Sequence, residues 1–409
     1  MWLAILIVSL ILFVLHAIWF SGRALRALAE VFPRTRRWHR TARIVYLVIA
    51  CSVPVVFVLY ALYALIARPD GFGAPESRLY DLLVLYPFWL ATLISFQCTL
   101  LIAPLDLVHL AARRFGVAAG ERWSRRRHAL ALSLIAGFTV YVPARIALDT
   151  SSLEVRVHEY TSAELPAELD GFTIALVADL QADRYTGEDR LAELVDAVNR
   201  KAPDLVIIAG DLITRAPRYI EPAARQAGRL RARHGVLACV GDHDNFAYMD
   251  RRRSLREVTE ALARHGVAML DNEVRRVRVG GAEIAVVLAT NNYVNRIDRD
   301  TTAALMAAAG GADLQIVAAH QTSPELLAGA REGGADLFLG GHTHGGQVRF
   351  WLPFLDLTPV RFETAYIDGA YQLGDMMLTV TSGLGMSVTP MRYRAPATIE
   401  IIRLRRAAR

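Results

Sequence analysis

Cysteine is scarce in this chain of 409 residues: only Cys51, Cys98 and Cys239 occur. The first two sit in apolar runs and the third in Val236-Leu237-Ala238-Cys239-Val240, so a disulfide framework is excluded and Cys239 is expected to be a buried strand thiol. Low-complexity tracts, coiled-coil heptads and internal repeats are also missing, which excludes fibrous and solenoid architectures. Charge is absent from three long stretches, Met1 to Phe20, Ile44 to Ala67 and Leu82 to Leu105. Each is long enough to cross a hydrocarbon core of ~30 Å as a helix. A fourth run, Ala129 to Ala144, reaches full length only by including Arg145, Ile146, Ala147 and Leu148, where Arg145 can snorkel. Met1 to Phe20 lacks a basic start and a small-residue cleavage site, so it is expected to be retained rather than removed as a signal peptide. Residues 1–150 are therefore predicted to form a transmembrane region, with helices at about 1–20, 44–67, 82–105 and 129–148.

These runs explain a hydrophobic content of 54% and a mean hydropathy of +0.28, high for a wholly soluble protein. The loops between them are unequal in charge. Arg23, Arg26, Arg34, Arg36, Arg37, Arg40 and Arg43 fall in the first, and Arg113, Arg114, Arg122, Arg125, Arg126 and Arg127 in the third. The second has Arg68 and Arg78, offset by Asp70 and Glu76. The positive-inside rule places the first and third loops in the cytoplasm, so four crossings would leave the C-terminal part outside it, whereas three, without the fourth run, would leave it in the cytoplasm. The net charge of +6 has its source largely beside the membrane, where arginine suits anionic headgroups. No basic, aromatic-interleaved patch marks the rest of the chain, and Arg251-Arg252-Arg253 is a lone cluster, so nucleic acid is not expected as a partner.

From about Ser152 the pattern changes to short β-rich runs alternating with helical periodicity. Phe172–Ala178, Asp204–Ala209, Gly235–Val240, Glu283–Ala289, Leu314–Ala319, Ala335–Leu339, Met376–Thr381 and Thr398–Leu404 read as strands. Their near-continuous apolar character predicts burial on both faces. Leu191, Leu194, Val195 and Val198 place a helix over Glu188–Arg200, and Leu255, Val258 and Leu262 mark another. Residues 151–409 are thus predicted to be an α/β domain.

What ends each strand carries the chemistry. The runs terminate in Asp179-Leu180-Gln181, Gly210-Asp211, Gly241-Asp242-His243-Asp244, His320 and Gly341-His342-Thr343-His344-Gly345-Gly346-Gln347. In α/β sheets ligands bind beyond the carboxyl ends of the strands, so these residues should meet at one edge. Two imidazoles at i, i+2 can share one small volume if the backbone turns sharply, which the flanking glycines should permit. A donor set of carboxylates and imidazoles without thiolate suits Mn, Zn or Fe. It is too large for one ion, and two divalent ions sharing a bridging carboxylate are the natural arrangement.

In order and spacing these blocks resemble the calcineurin-like metallophosphoesterases, with Asp-x-Gln in place of Asp-x-His. The resemblance spans about Val155 to Leu404. It takes in the entry stretch Leu165-Pro166 with Leu169-Asp170-Gly171-Phe172, and the tail Ser382-Gly383-Leu384-Gly385, Pro390-Met391-Arg392 and Pro396, which looks like the membrane-associated, bacterial-type branch. It implies a four-layer α/β/β/α sandwich and a dinuclear centre. Asp179, Gln181, Asp211 and His344 would hold one metal ion, and Asp211 would bridge to a second held by Asp242, His320 and His342. It further implies that His243 protonates the leaving group or stabilises the phosphoryl group, with Asp244 orienting its ring. Three positions depart from the family pattern: Gln181 for histidine, Asp242 for asparagine, and Thr214 for the second aspartate of the Gly-Asp block.

The expected protein is an integral protein of a bacterial-type cytoplasmic membrane with its catalytic domain outside the cytoplasm. Its expected partners are the lipid bilayer and a phosphorylated substrate, such as a lipid-linked one, cleaved at a phosphodiester, phosphomonoester or pyrophosphate bond by metal-activated hydroxide. The alternative is a non-catalytic metal-binding membrane sensor, which Gln181 and Asp242 favour. Tyr248, Arg251, Asn291, Asn292 and Tyr293 are candidates for substrate contacts.

Overall fold

A computed structural model describes residues 2–67, 76–115, 120–352 and 355–407. The loop charges Arg68 and Asp70 lie outside the described residues. The chain divides into two compact units: Met1–Pro69, Ala74–Leu148 and Phe350–Leu357 in one, and Asp70–Gly73, Asp149–Arg349 and Thr358–Arg409 in the other. The sequence predicted a single division near residue 150; residues 350–357 group instead with the helices.

The helical unit contains α1 (Trp2–Val31), α2 (His39–Ala67), α3 (Arg78–Arg114) and α4 (Glu121–Ser151). Each is long and apolar enough to cross a membrane, as lipid requires every backbone group to be paired within the segment. The run at 129–148 is the body of the unbroken α4. Phe20, Ala27, Cys98, Ile102 and Ala131 pack together between the helices. Arg23 is not a loop charge but a buried residue of α1. It donates to both oxygens of Asp106, and Arg127 donates to the same carboxylate. The C-terminal part of α1 and the N-terminal part of α4 therefore share one end of the unit. The residues grouped from the far end of the chain form a hairpin, β10 (Phe350–Leu352) with β11 (Leu355–Leu357). It pairs with α3 through Gln97, a fully buried amide that donates to the Trp351 carbonyl (2.6 Å) and accepts from the Trp351 N–H (2.8 Å). In an apolar surrounding, bonding both ends of the amide removes the cost of burying it.

The second unit is built on two six-stranded sheets. The first runs β1 (Leu153–Ser162), β14 (Ala397–Arg406), β2 (Thr173–Val177), β3 (Leu205–Ile208), β4 (Val236–Cys239), β5 (Ala268–Leu270). The second runs β12 (Gly369–Leu373), β13 (Met376–Val380), β9 (Leu337–Gly340), β8 (Leu314–Ala319), β7 (Ala282–Ala289), β6 (Glu273–Val279). Alternate residues of the same strand serve different layers. Ile174, Leu176 and Ala178 face Ile284, Val286, Ile316 and Leu339 of the opposite sheet. Ala175 and Val177 face α5 (Glu188–Asn199), α6 (Ile220–Ala227) and α7 (Arg251–Arg264). Val317 and Phe338 face α8 (Arg299–Ala309) and α9 (Pro324–Glu332) on the other side. The result is four layers, helix, sheet, sheet, helix, with apolar side chains on both faces of the inner strands. All eight predicted strands are present, and all lie inside a sheet. The edge strands β1, β5, β6 and β12 were not predicted.

Candidate metal centre

Strands β2, β3 and β4 are parallel neighbours, as are β8 and β9. Their carboxyl ends deliver Asp179, Gln181, Asp211, Asp242, His320, His342 and His344 to one locality. His320 Nε2 lies 3.2 Å from Asp211 Oδ2 and 3.3 Å from Asp242 Oδ2, and His342 Nδ1 lies 3.0 Å from the same Asp242 oxygen. His344 Nε2 is 3.5 Å from Asp179 Oδ1. Gln181 Nε2 donates to Asp211 Oδ2 at 2.7 Å. Asp211 thus touches both halves of the cluster. Among the described residues, two groups bring donor atoms within 4.8 Å of one another: Asp242, His320, His342, and Asp179, Asp211, His320.

The backbone here is unusual. Asp179, Gln181, Asp211, His342 and His344 all have positive φ, between 47° and 73°. Such angles are uncommon for residues with a Cβ and cluster where function demands them. The histidine turn was expected to rely on its glycines. Gly345 does adopt φ 61°, but both imidazoles are aimed by the left-handed conformation of the histidines themselves. Gly241 has a different reason to be glycine: a Cβ there would lie 2.2 Å from Asp211 N and Oδ1. Any side chain at 241 would push the central carboxylate out of place.

Burial and mutual charge set the ionisation of the cluster. Burial pushes the Asp179 carboxyl up to about 7 and that of Asp244 to about 6. Burial would raise Asp211 and Asp242 too, but His320 beside the first, and His320 and His342 beside the second, hold both below the carboxylate range. Burial alone would depress His320 and His342. Asp211 and Asp242 instead carry His320 well above its ordinary value, while Asp242 and Glu363 carry His342 to about 9. His344 is pushed well below the imidazole range, by burial and then by the Arg392 cation. The carboxylates create a strong local demand for positive charge.

The donor set fits divalent ions on two observations. It is all nitrogen and oxygen with no thiolate. In addition, Asp179 Oδ1 and Gln181 Oε1 are buried oxygens without a hydrogen-bond partner, the arrangement expected of atoms reserved for a cation rather than for folding. His320 Nδ1–H donates to the Ala209 carbonyl at 2.7 Å, which fixes the tautomer that presents Nε2 to the carboxylates.

His243 stands differently from expectation. Asp244 does not orient its ring. Both Asp244 oxygens are taken by backbone N–H groups of Asp211, Leu212 and Gly241, so the carboxylate pins together the turns after β3 and β4. The ring is oriented by a backbone carbonyl: His243 Nδ1–H donates to Thr214 O at 2.6 Å, leaving Nε2 3.2 Å from Ser387 Oγ. A main-chain acceptor has no sequence signature, so residue reading could not find it. Asn291 and Asn292 are fully buried turn residues whose amides donate to the Gln321 and Gly241 carbonyls. The Tyr248 hydroxyl turns to Glu257, and Arg251 lies over the Phe246 ring. Of the five candidate substrate contacts only Tyr293 adjoins the cluster, its ring edge-on to His342 with centroids 5.2 Å apart.

Sequence reading missed two supports of the histidine turn. Arg392 is buried, and its guanidinium donates to the carbonyls of His344, Ser382, Gly383, Gly385 and Ala395. Arg349 bonds the Gly345 carbonyl and the Asp368 carboxylate, which also receives Arg156 from β1. Gln321, which donates to Asp242 Oδ2 at 2.7 Å, follows His320 directly and could have been suspected from that adjacency.

Residues 172–346 match the calcineurin-like phosphoesterase family, a span that contains every predicted ligand and His243. An uncharacterized metallophosphoesterase of Campylobacter jejuni is 26% identical over 278 residues, 68% of this chain and 69% of its own length. One from Bacillus subtilis is 26% identical over 63% of this chain and 87% of its own. A zebrafish (Danio rerio) transmembrane protein with metallophosphoesterase domain is 28% identical over 71% of this chain and 65% of its own. Among solved structures the chain is similar to a dimetal phosphatase from Danio rerio (11% identity, 55% of this chain and 94% of that one, TM-score 0.34). It is also similar to phosphopantetheinyl hydrolase from Mycobacterium tuberculosis (12% identity, 55% and 96%, TM-score 0.33).

Proposed function

We propose that this chain, whose residues 172–346 match the calcineurin-like phosphoesterase family, is a membrane-anchored, dinuclear-metal phosphoesterase acting on phosphodiester, phosphomonoester or pyrophosphate bonds. The observation that carries this reading is the pair of buried, unpartnered oxygens on Asp179 and Gln181, with His320 and His344 among the carboxylates beside the shared Asp211. Asp179, Gln181, Asp211 and His344 would hold one ion, and Asp211, Asp242, His320 and His342 the other. Divalent ions bound there supply an activated water and neutralise charge on the phosphoryl oxygens. His243 would contribute the proton as an imidazolium: with Nδ1–H engaged by Thr214, Nε2–H is the group that can pass a proton to a leaving oxygen and be left as the neutral ring. Asp244 acts through the backbone, holding the turns that carry Asp211 and His243.

Four helices able to span a bilayer and a transmembrane relative support a membrane setting, and proximity then favours lipid or lipid-linked phosphodiesters and pyrophosphates. The arginine-rich first and third loops support a catalytic domain outside the cytoplasm. The test is metal content of the purified chain, with hydrolysis of lipid and nucleotide phosphodiesters in Mn, against His243→Ala. Two ions per chain and turnover abolished or strongly reduced in the variant support the reading; undiminished turnover removes His243 as the acid. A second reading, a non-catalytic metal-binding sensor, draws on Gln181 and Asp242. Two bound ions without turnover on any phosphate would favour it.

A further inference from the structure

His342 offers one ring nitrogen to each of two environments. Nδ1 faces Asp242 at 3.0 Å, within the cluster that groups Asp242, His320 and His342. Nε2–H faces away and donates to Glu363 Oε1 at 2.9 Å. The same Glu363 oxygen accepts from the Tyr293 hydroxyl at 2.5 Å. Tyr293 returns to the cluster by its own backbone, its N–H donating to Asp242 Oδ1 at 2.5 Å. A closed circuit therefore runs Asp242, Tyr293, Glu363, His342 and back to Asp242. Glu363 lies outside the matched family span of 172–346, just beyond a short turn at Pro359–Phe362.

A half-exposed carboxylate near an imidazole is usually a weak surface pair. Three features set this one apart. It meets the nitrogen that Asp242 does not, so it decides which nitrogen faces the cluster. It is held by a second donor, the Tyr293 hydroxyl. And Tyr293 simultaneously fixes the other carboxylate of the group. A carboxylate on the far nitrogen of a ligating histidine orients the ring and raises its basicity.

We propose that Glu363 and Tyr293 form a positioning pair for one of the two metal sites, with Glu363 fixing His342 Nδ1 as the ligand atom and Tyr293 locking Glu363 and Asp242 in register. This rests on the dinuclear reading above. The contacts of the pair reach Asp242 and His342, so its effect is expected at the ion held by Asp211, Asp242, His320 and His342.

The test uses the full chain in detergent, stripped with chelator and titrated with Co(II) alone, read by a two-site isotherm and the visible absorption of the bound ion. Glu363→Ala should weaken one of two sites by about 10–100-fold and shift its absorption, leaving the other within about twofold. Glu363→Gln, whose amide oxygen still accepts from Nε2–H, should lose less, and Tyr293→Phe should lose affinity at the same site. Unfolding temperatures of the metal-free variants should match the parent chain. The proposal is overturned if both affinities of Glu363→Ala stay within twofold of the parent. It is also overturned if both sites weaken together along with the unfolding temperature. A parent chain that takes up fewer than two ions would instead remove the dinuclear reading, and this proposal with it.

Discussion

Arg392 offers the clearest quantitative test of how the histidine turn is held. Its guanidinium is buried, donates to five carbonyls from three chain segments, and has no carboxylate ion pair among the described residues. Burial draws its pKa down to about 10, so it stays cationic at neutral pH. Arg392→Met keeps the apolar stem and removes every donor. The freed carbonyls of His344, Ser382, Gly383, Gly385 and Ala395 cannot all reach water. Deleting one partner of a buried charged network costs about 3–5 kcal/mol, less than the sum of single bonds because the cation's own desolvation is relieved as well. For a domain of this size each kcal/mol lowers the unfolding temperature by about 2–4 °C, so a fall of about 6–20 °C is expected. Arg392→Lys, with the charge but not the planar fork, should fall between. Metal content should drop with it, since the His344 carbonyl is one of the tethered groups. Thermal unfolding of the full chain in detergent, with metal analysis, reads both. An unfolding temperature within about 2 °C of the parent chain, with metal content unchanged, would refute the reasoning.

Two further predictions concern charge. Three ionised carboxylates against two divalent ions leave a site charge of about +1, one less than asparagine at 242 would give. Asp242→Asn should therefore raise the ratio of monoester to diester kcat/KM, and an unchanged ratio would disprove the charge argument. Burial alone would raise Asp368, but Arg349 and Arg156 outweigh it and hold the carboxyl below its ordinary value. Because the folded value is depressed, the stability it supplies is present above the unfolded value near about pH 4 and lost as pH falls through the folded one. Asp368→Asn should flatten that part of the acid-unfolding profile; identical profiles would show that the cluster contributes nothing.

The eight strands found by inspection are all interior ones, and the reason is physical. Runs such as Leu205–Ile208 are buried on both faces and so nearly free of polar residues. The edge strands β1 and β6, Leu-Glu-Val-Arg-Val-His-Glu-Tyr-Thr-Ser and Glu-Val-Arg-Arg-Val-Arg-Val, alternate with charge, as edges must to avoid further pairing. A search for apolar runs passes over them. The residues that meet at the cluster could be picked out because each lies just after an interior strand. Glu363 and Arg392 were not, since they lie in irregular chain and act through one nitrogen or through carbonyls. Asp244 was misassigned for a related reason: three backbone N–H groups claim its oxygens before the neighbouring imidazole can.

The Phe350–Leu357 hairpin bears on the order of biosynthesis. Its partner amide, Gln97, is made early, with the helices. Trp351 emerges about 200 residues after the last helix ends, a delay of roughly 10–40 s at ribosomal rates. Until then Gln97 must find other partners inside an apolar bundle. Nor does one cut separate the units: a protein starting at Asp149 would keep Trp351 but lose the helix it bonds to. The helical unit is finished only once the ribosome has passed the last predicted ligand, His344.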